Sequence, residues 1–332
     1  MSGTRRVTLR ELARRAGVSV TTASDSLNGR GRVQPETRQR LIELADELGY
    51  HANAAARNLR RGSANSIGIY LPDDVIAMPY YMDLAQGAAE EASAHGLALS
   101  LIPAWRDANR VSAFPIDGLV VVDPVIDDPV IERLHSLHIP VVTCERDLSH
   151  ATYRGGVTVD HDPAVRGLLD HLAARGAQSI AFIVPPLTTS WAVDIRAAYQ
   201  SWCEQHNRMP LVRELALAAT PYHVRHAATA LLNSPHPPDA IISAHDGGAI
   251  GALMAATEKG LSVPGDILVA SCVDSSLLQL CTPAITAINL HPRQMGRQVA
   301  DLLSRLVAHD DLTDVWSVVP TTLEIRRSTL AP

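Results

Sequence analysis

The sequence predicts an α/β protein with a small all-helical head and a two-lobed body of parallel, doubly wound sheets. Three observations predict it. Residues 8–28 read as two short helices about a glycine turn. Past residue 66, short apolar runs alternate with stretches of helical period. Charge also divides along the chain. Residues 1–62 hold twelve Arg, no Lys and six acids, a net +6, so with the whole chain at −6 residues 63–332 carry −12.

In the head, Thr8 can cap a first helix over 8–16, and Glu11 three residues on completes a capping box. Leu9, Leu12, Ala13 and Ala16 share one stripe, and Ala13 is small enough for another helix to approach. Gly17 supplies the turn, where positive φ is favoured. Ser19 can cap a second helix over 20–28, with Ala23 and Leu27 facing inward. A third helix has Pro35 in its first turn and Gly49 just past its end. Leu41, Leu44, Ala45 and Leu48 form its apolar side. The first two helices make a helix-turn-helix, which lays its second helix in the major groove of DNA. A basic head on an acidic body suits phosphate attraction, the body discouraging indiscriminate binding. Arg5, Arg6, Arg10, Arg30, Arg32, Arg38 and Arg57 are candidate phosphate contacts, unless they are merely solvated surface.

The remaining residues, about 270, suffice for two α/β lobes with cores of their own. Runs at 66–71, 97–102, 119–122 and 141–144 read as buried parallel strands, with a helix over 82–95 ending at Gly96. Runs at 180–184, 240–243 and 267–271 form a second set, among helices at 163–174, 194–206, 223–232 and 247–259. Two such lobes resemble the periplasmic sugar-binding fold, whose ligand lies in the cleft at the C-terminal ends of the strands. Asp73, Tyr80, Tyr81, Asp123 and Arg146 follow strands of the first lobe and can line that cleft. Asp160, Trp191, His245, Asp246 and Asp274 are the second lobe's candidates. Bland alternatives stand beside them: Asp246 can simply cap the helix it precedes, and Tyr80 or Tyr81 can be packed at a lobe edge.

Other chemistry is weakly signalled. Cys144, Cys203, Cys272 and Cys281 show no metal or redox spacing and read as reduced thiols of a cytoplasmic protein. No segment suggests export or a membrane span. Glu132, His135 and His138 are spaced for one helix face, which reads as solvated surface before it reads as a metal site. Gly155-Gly156 and Gly247-Gly248 lack the residues of a phosphate loop, and no Ser sits in a nucleophile elbow. An enzyme is therefore not expected, nor a cofactor or a metal.

Val7-Thr8, Ala16-Gly17-Val18-Ser19, Leu27-Asn28, Glu36-Thr37-Arg38 and Leu48-Gly49-Tyr50 together resemble the start of the lactose-repressor (LacI/GalR) family of bacterial transcriptional regulators. Residues 319–326 resemble its closing strand, so the resemblance runs nearly the whole chain. It implies base reading by Val20, Thr21 and Asp25, with Thr8, Ser19, Thr22, Asn28 and Arg32 also at the DNA. Asp25 stands where the family usually has Arg; a carboxylate accepts from cytosine but cannot donate to guanine, so either the operator differs there or Asp25 faces solvent or a neighbouring Arg. Residues 51–62 match the family's hinge. That implies minor-groove helices from two subunits, meeting at Ala55 and Ala56, with Asn53, Arg57, Arg60 and Arg61 at the DNA and Leu59 as the wedge that unstacks a base step.

The implied division is 1–50 for the DNA-binding domain, 51–62 for the hinge, 63–160 with 291–319 for one lobe, and 161–290 with 320–332 for the other. In the effector lobe the family's ligand-holding Arg falls on Ile195, with Arg196 one place off, and its paired acids are reduced to Val273-Asp274. The implied protein is a cytoplasmic repressor that binds a pseudopalindromic operator as a homodimer, under control of a sugar-like effector in the cleft. No heptad helix follows the closing strand, which favours a dimer over a coiled-coil tetramer. A receptor for sugars that does not read DNA is the alternative.

Overall fold

The computed structural model describes residues 7–27, 31, 33–50, 63–72, 78–102, 114–149, 153–308 and 314–330. The chain divides into two compact units, Met1–Ala64 and Asn65–Pro332.

The first unit holds α1 (Leu9–Ala16), α2 (Val20–Leu27) and α3 (Pro35–Glu47). Thr8 caps α1, its hydroxyl accepting the N–H of Glu11 at 3.3 Å. The expected capping box forms only by half: the Glu11 side chain turns outward to Arg15, 3.2 Å away, an i,i+4 pairing that competes with the reach back to the cap. Gly17 takes φ 67°, and the N–H of Val18 returns to the Ala13 carbonyl at 3.0 Å, closing the helix. Ser19 caps α2 by accepting the N–H of Thr22 at 3.0 Å. Leu12, Ala13, Ala23, Leu41 and Ala45 form the buried centre where the three helices meet. Arg40 of α3 donates to the Ala16 carbonyl at 2.7 Å, satisfying an orphan acceptor at the end of α1.

The second unit is built on two six-stranded sheets. The first carries β1 (Ser66–Tyr70), β2 (Ala98–Ile102), β3 (Gly118–Val122), β4 (Val141–Cys144), β5 (Gly155–Val159) and β11 (Val315–Val319), in the order β11-β5-β4-β3-β1-β2. All its pairings are parallel. Helices α4 (Pro79–Ala94), α5 (Pro129–His135) and α11 (Pro292–Ala308) accompany it. The second sheet carries β6 (Ile180–Val184), β7 (Leu211–Glu214), β8 (Ala240–Ser243), β9 (Leu268–Ser271), β10 (Thr286–Asn289) and β12 (Thr322–Glu324), in the order β12-β10-β9-β8-β6-β7. Only β12 runs antiparallel. Its helices are α6 (His161–Ala174), α7 (Ser190–Gln205), α8 (Pro221–Leu232), α9 (Gly248–Glu258) and α10 (Ser276–Leu280).

The chain crosses between the sheets after β5, after β10 and between β11 and β12. Three crossings place the C-terminal ends of two sets of parallel strands around one cleft.

Central strands such as β1, β3 and β6 are buried along their whole length, which is why they stand out as apolar runs. The apolar runs do not anticipate β5, β7, β10 or β11, nor the short α10 and the long α11. β7 and β11 are edge strands with mostly exposed or half-buried positions. β5 opens with Gly155-Gly156 for a packing reason. A Cβ at Gly155 would lie 2.2 Å from the Val315 carbonyl oxygen, and one at Gly156 2.8 Å from that of Thr143. Another close approach joins α4 to α11. A Cβ on Gly87 would meet the Arg293 carbonyl oxygen at 2.0 Å, and one on Gly296 that of Leu84 at 2.0 Å.

Candidate functional site

Two places can meet a partner: the face of α2 in the first unit, and the cleft of the second. Val20 and Thr21 stand exposed at the start of α2. Thr22 is half-buried, its hydroxyl 2.8 Å from that of Ser19. Asp25 is half-buried one turn further on; a Cβ at Gly31 would stand 3.0 Å from its Oδ2, so the carboxylate packs toward Gly31. Thr8 and Ser19 use their hydroxyls as caps while remaining exposed. Arg10 is exposed, whereas Arg38 is half-buried. Arg5, Arg6, Asn28, Arg30, Arg32 and the whole of 51–62, with Asn53, Ala55, Ala56, Arg57, Leu59, Arg60 and Arg61, lie outside the described residues.

In the second unit a cavity of about 40 Å³ lies between the lobes, at the strand ends. Tyr80 and Tyr81, in the first turn of α4, form one wall, their rings edge to face at 5.1 Å. Asp123 follows β3 at φ 44° and Glu145 follows β4 at φ 69°. Both thus occupy the left-handed region, a strain that the surrounding structure must hold in place. From the other lobe come His161 and Trp191, at the starts of α6 and α7, then Leu217, and His245 and Asp246 after β8. Val273 and Leu290 close the floor.

The site is acidic and largely buried. The Tyr81 hydroxyl donates to Asp123 Oδ2 at 2.8 Å, and that of Tyr80 meets the Met295 sulfur at 3.7 Å. Burial and the nearby Glu145 charge push the Asp123 carboxyl from 3.8 up to about 7, against the opposing effects of Tyr81 and His161. Glu145 accepts the Thr158 hydroxyl at 2.8 Å and faces His161 Nε2 at 3.0 Å, both side chains almost wholly buried. Burial alone would lower His161, but the hydrogen bond and charge of Glu145 outweigh it and raise its pKa. Burial lowers His245, leaving its ring neutral at pH 7. Its Nε2 lies 3.0 Å from the Ala216 carbonyl, which can only accept, so Nε2 carries the proton and Nδ1 a lone pair. Burial raises Asp246, whose Oδ2 accepts the Tyr80 N–H at 3.1 Å from across the cleft.

Of the residues expected at the cleft, Tyr80, Tyr81, Asp123, Trp191, His245 and Asp246 are brought together. Asp73 lies outside the described residues. Four others sit elsewhere. Arg146 points out and donates through Nη2 to both oxygens of Asp194, at 2.7 and 2.6 Å. Asp160 is exposed on the outer side of its turn. Arg196 pairs with Glu214 at 2.9 Å. Asp274 is held by the Arg326 fork, both bonds at 2.7 Å. Their immediate neighbours Glu145, His161 and Val273 line the cavity instead. The signal that would have found them is the alternation of side chains at a strand end, which the sequence leaves unphased.

Among the described residues, Glu132, His135 and His138 do not gather as a ligand set; Glu91, His95 and Asp301 do, within 4.8 Å on the surface between α4 and α11, with His95 Nε2 3.5 Å from Glu91 and 3.1 Å from Asp301. His135 packs edge-on to Tyr153 at 4.5 Å. No described helix is long and apolar enough to cross a membrane.

Comparison with known proteins agrees with this architecture. The family described as bacterial regulatory proteins, lacI family, matches residues 8–53, and the periplasmic binding protein-like domain matches 169–329. Catabolite control protein A of Staphylococcus xylosus is 25% identical over 330 residues, covering 97% of this chain and 99% of that protein. The lac repressor dimer bound to operator and the anti-inducer ONPF superposes with a TM-score of 0.86 at 24% identity, covering 98% of this chain and all of that one. The transcriptional regulator CelR in complex with cellobiose gives 0.73 at 25% identity, covering 97% and 100%. The helical head and the two-lobed body thus match their counterparts over almost the full length, and the chain belongs to the lacI family of bacterial regulatory proteins, DNA-binding regulators of transcription.

Proposed function

We propose that the protein represses transcription by gripping a pseudopalindromic operator as a homodimer, with a small molecule in the inter-lobe cleft setting the strength of the grip. It works in the cytoplasm, on the nucleoid when bound. Val20 and Thr21, exposed at the start of α2, read base edges; Val20 suits a thymine methyl and Thr21 either a methyl or a hydrogen bond. Asp25 reads the base pair facing it, and residues 51–62 form the hinge, with Leu59 as the wedge. One lobe comprises 63–160 and 291–319, the other 161–290 and 320–332. The operator-bound lac repressor dimer and the cellobiose complex of CelR support the same division of labour here.

The observation that carries the control is how the lobes meet. Among the described residues few polar contacts span the cleft, chiefly Tyr80 N–H to Asp246, Glu145 to His161, Arg146 to Asp194, and Ile126 N–H to the Thr188 carbonyl at 2.8 Å. They surround a cavity of about 40 Å³, far below the roughly 300 Å³ or more of a typical small-molecule pocket. A ligand must therefore part the lobes to enter, and the angle at which they settle depends on what they enclose. A molecule with different affinity for the two arrangements shifts the balance between them.

Selection of bound duplexes from a random pool by the full chain tests this. The expected product is a two-fold related motif with half-sites about one helical turn apart. Recovery of no common motif, with equal retention of random duplex, would end the repressor reading.

A further inference from the structure

We infer that the effector is a hydroxylated amine, a small molecule with a protonated nitrogen beside hydroxyl or ring-oxygen groups, of the amino-sugar or amino-polyol type. The inference rests on the cleft being the effector site and asks what chemistry that cleft accepts. Among the described residues no Arg or Lys lines the cavity, while Asp123, Glu145 and Asp246 do. Two nearby guanidinium groups are engaged outside it, Arg146 by Asp194 and Arg196 by Glu214. Of the three acids only Glu145 has a cationic partner, His161. Asp123 is answered by a tyrosine hydroxyl and Asp246 by backbone N–H groups alone. A carboxylate or phosphate ligand would meet two buried acids and no compensating cation.

The unpartnered atoms say more. His245 is 3% exposed, and among the described residues its Nδ1 has no hydrogen-bond partner; nor has Asp246 Oδ1, nor Trp191 Nε1. The first two accept and the third donates. Two buried acceptors on residues that line one cavity call for a group rich in donors, and an ammonium offers three and accepts none. The indole N–H calls for an oxygen on the same ligand. The faces of Tyr80, Tyr81 and Trp191 add the attraction of aromatic rings for a desolvated cation. Burial holds the Asp123 and Asp246 carboxyls above their ordinary range, and an enclosed cation would relieve both.

The test is a matched series titrated into the full chain by calorimetry: glucosamine, galactosamine and 1-amino-1-deoxysorbitol, with their parent polyols, N-acetyl derivatives and uronic or aldonic acids. At least one amine should bind about tenfold or more tighter than its neutral counterparts, the acids not at all. Asp246→Asn, which keeps an acceptor for the Tyr80 N–H, should cost the amine about tenfold and the parent polyol little. Tighter binding of a neutral or acidic member overturns the charge assignment but leaves the cleft as effector site. Heat from no member, with operator affinity unmoved by every one, counts against both readings.

Discussion

Asp123 is a carboxyl whose ionisation the fold opposes. Its folded-state carboxyl lies at about 7 against an ordinary 3.8. Between these values the folded chain keeps a proton that the unfolded chain has lost, so this group's contribution to stability falls as pH rises across the window and is flat above it. Asp123→Asn supplies the neutral form at every pH. It should stabilise the protein at pH 8 by up to about 4 kcal/mol and change little at pH 4, as urea unfolding at the two pH values would measure. An equal effect at both would contradict a buried, proton-holding Asp123. At the DNA, Asp25→Arg should shift base preference at the facing pair. Affinities for a panel of operator variants that keep their rank order would show that Asp25 takes no part in reading. The polar residues of the cleft were legible to within one position, whereas apolar Leu217 and Leu290 were not anticipated. Asp123, His245 and Asp246 follow from the rule that loops after parallel strands line the site. Glu145, His161 and Val273 were displaced onto Arg146, Asp160 and Asp274, because a one-residue step at a strand end reverses which side chain turns inward.

At the level of elements, strands buried on both faces declare themselves as apolar runs, and helices over buried stripes declare themselves by period. β5 was hidden because the backbones of β4 and β11 fill the space where side chains would signal a strand. α11 was hidden among arginines, yet Met295, Val299, Leu302, Leu303 and Leu306 of its inner face are buried. Its seat against α4 depends on Gly87 and Gly296. Gly296→Ala should destabilise the protein by about 2–3 kcal/mol, since the added carbon meets backbone that cannot yield cheaply. An unchanged urea midpoint would show that the two helices sit further apart. In the Arg146–Asp194 pair the Arg is exposed and the Asp half-buried, and such a surface pair adds little to stability. It spans the lobes, however, so Arg146→Ala should leave the melting temperature within a degree or two while increasing the radius of gyration seen by X-ray scattering. A compact variant would show that this pair does not hold the cleft shut.

Across the whole molecule, charge and architecture agree. The head is +6 and the rest −12, so affinity for DNA should come from many phosphate contacts that release counterions. Raising salt from about 50 to 200 mM should weaken operator binding roughly a thousandfold or more; a slope near zero would exclude that origin. Helix caps, turn glycines and charge made the head legible as a DNA reader. The effector's chemistry was not, because it depends on which side chains remain without partners once two lobes close, and only the folded arrangement reveals that. The central claim is that the cleft governs the grip on DNA. Fluorescence anisotropy of a labelled, selected operator, titrated with the full chain with and without a saturating cleft ligand, tests it most directly. Operator affinity should change by about fivefold or more, and the change should shrink in Asp246→Asn in proportion to lost ligand binding. A ligand that fills the cleft of the wild-type protein and leaves operator affinity unaltered would contradict the account.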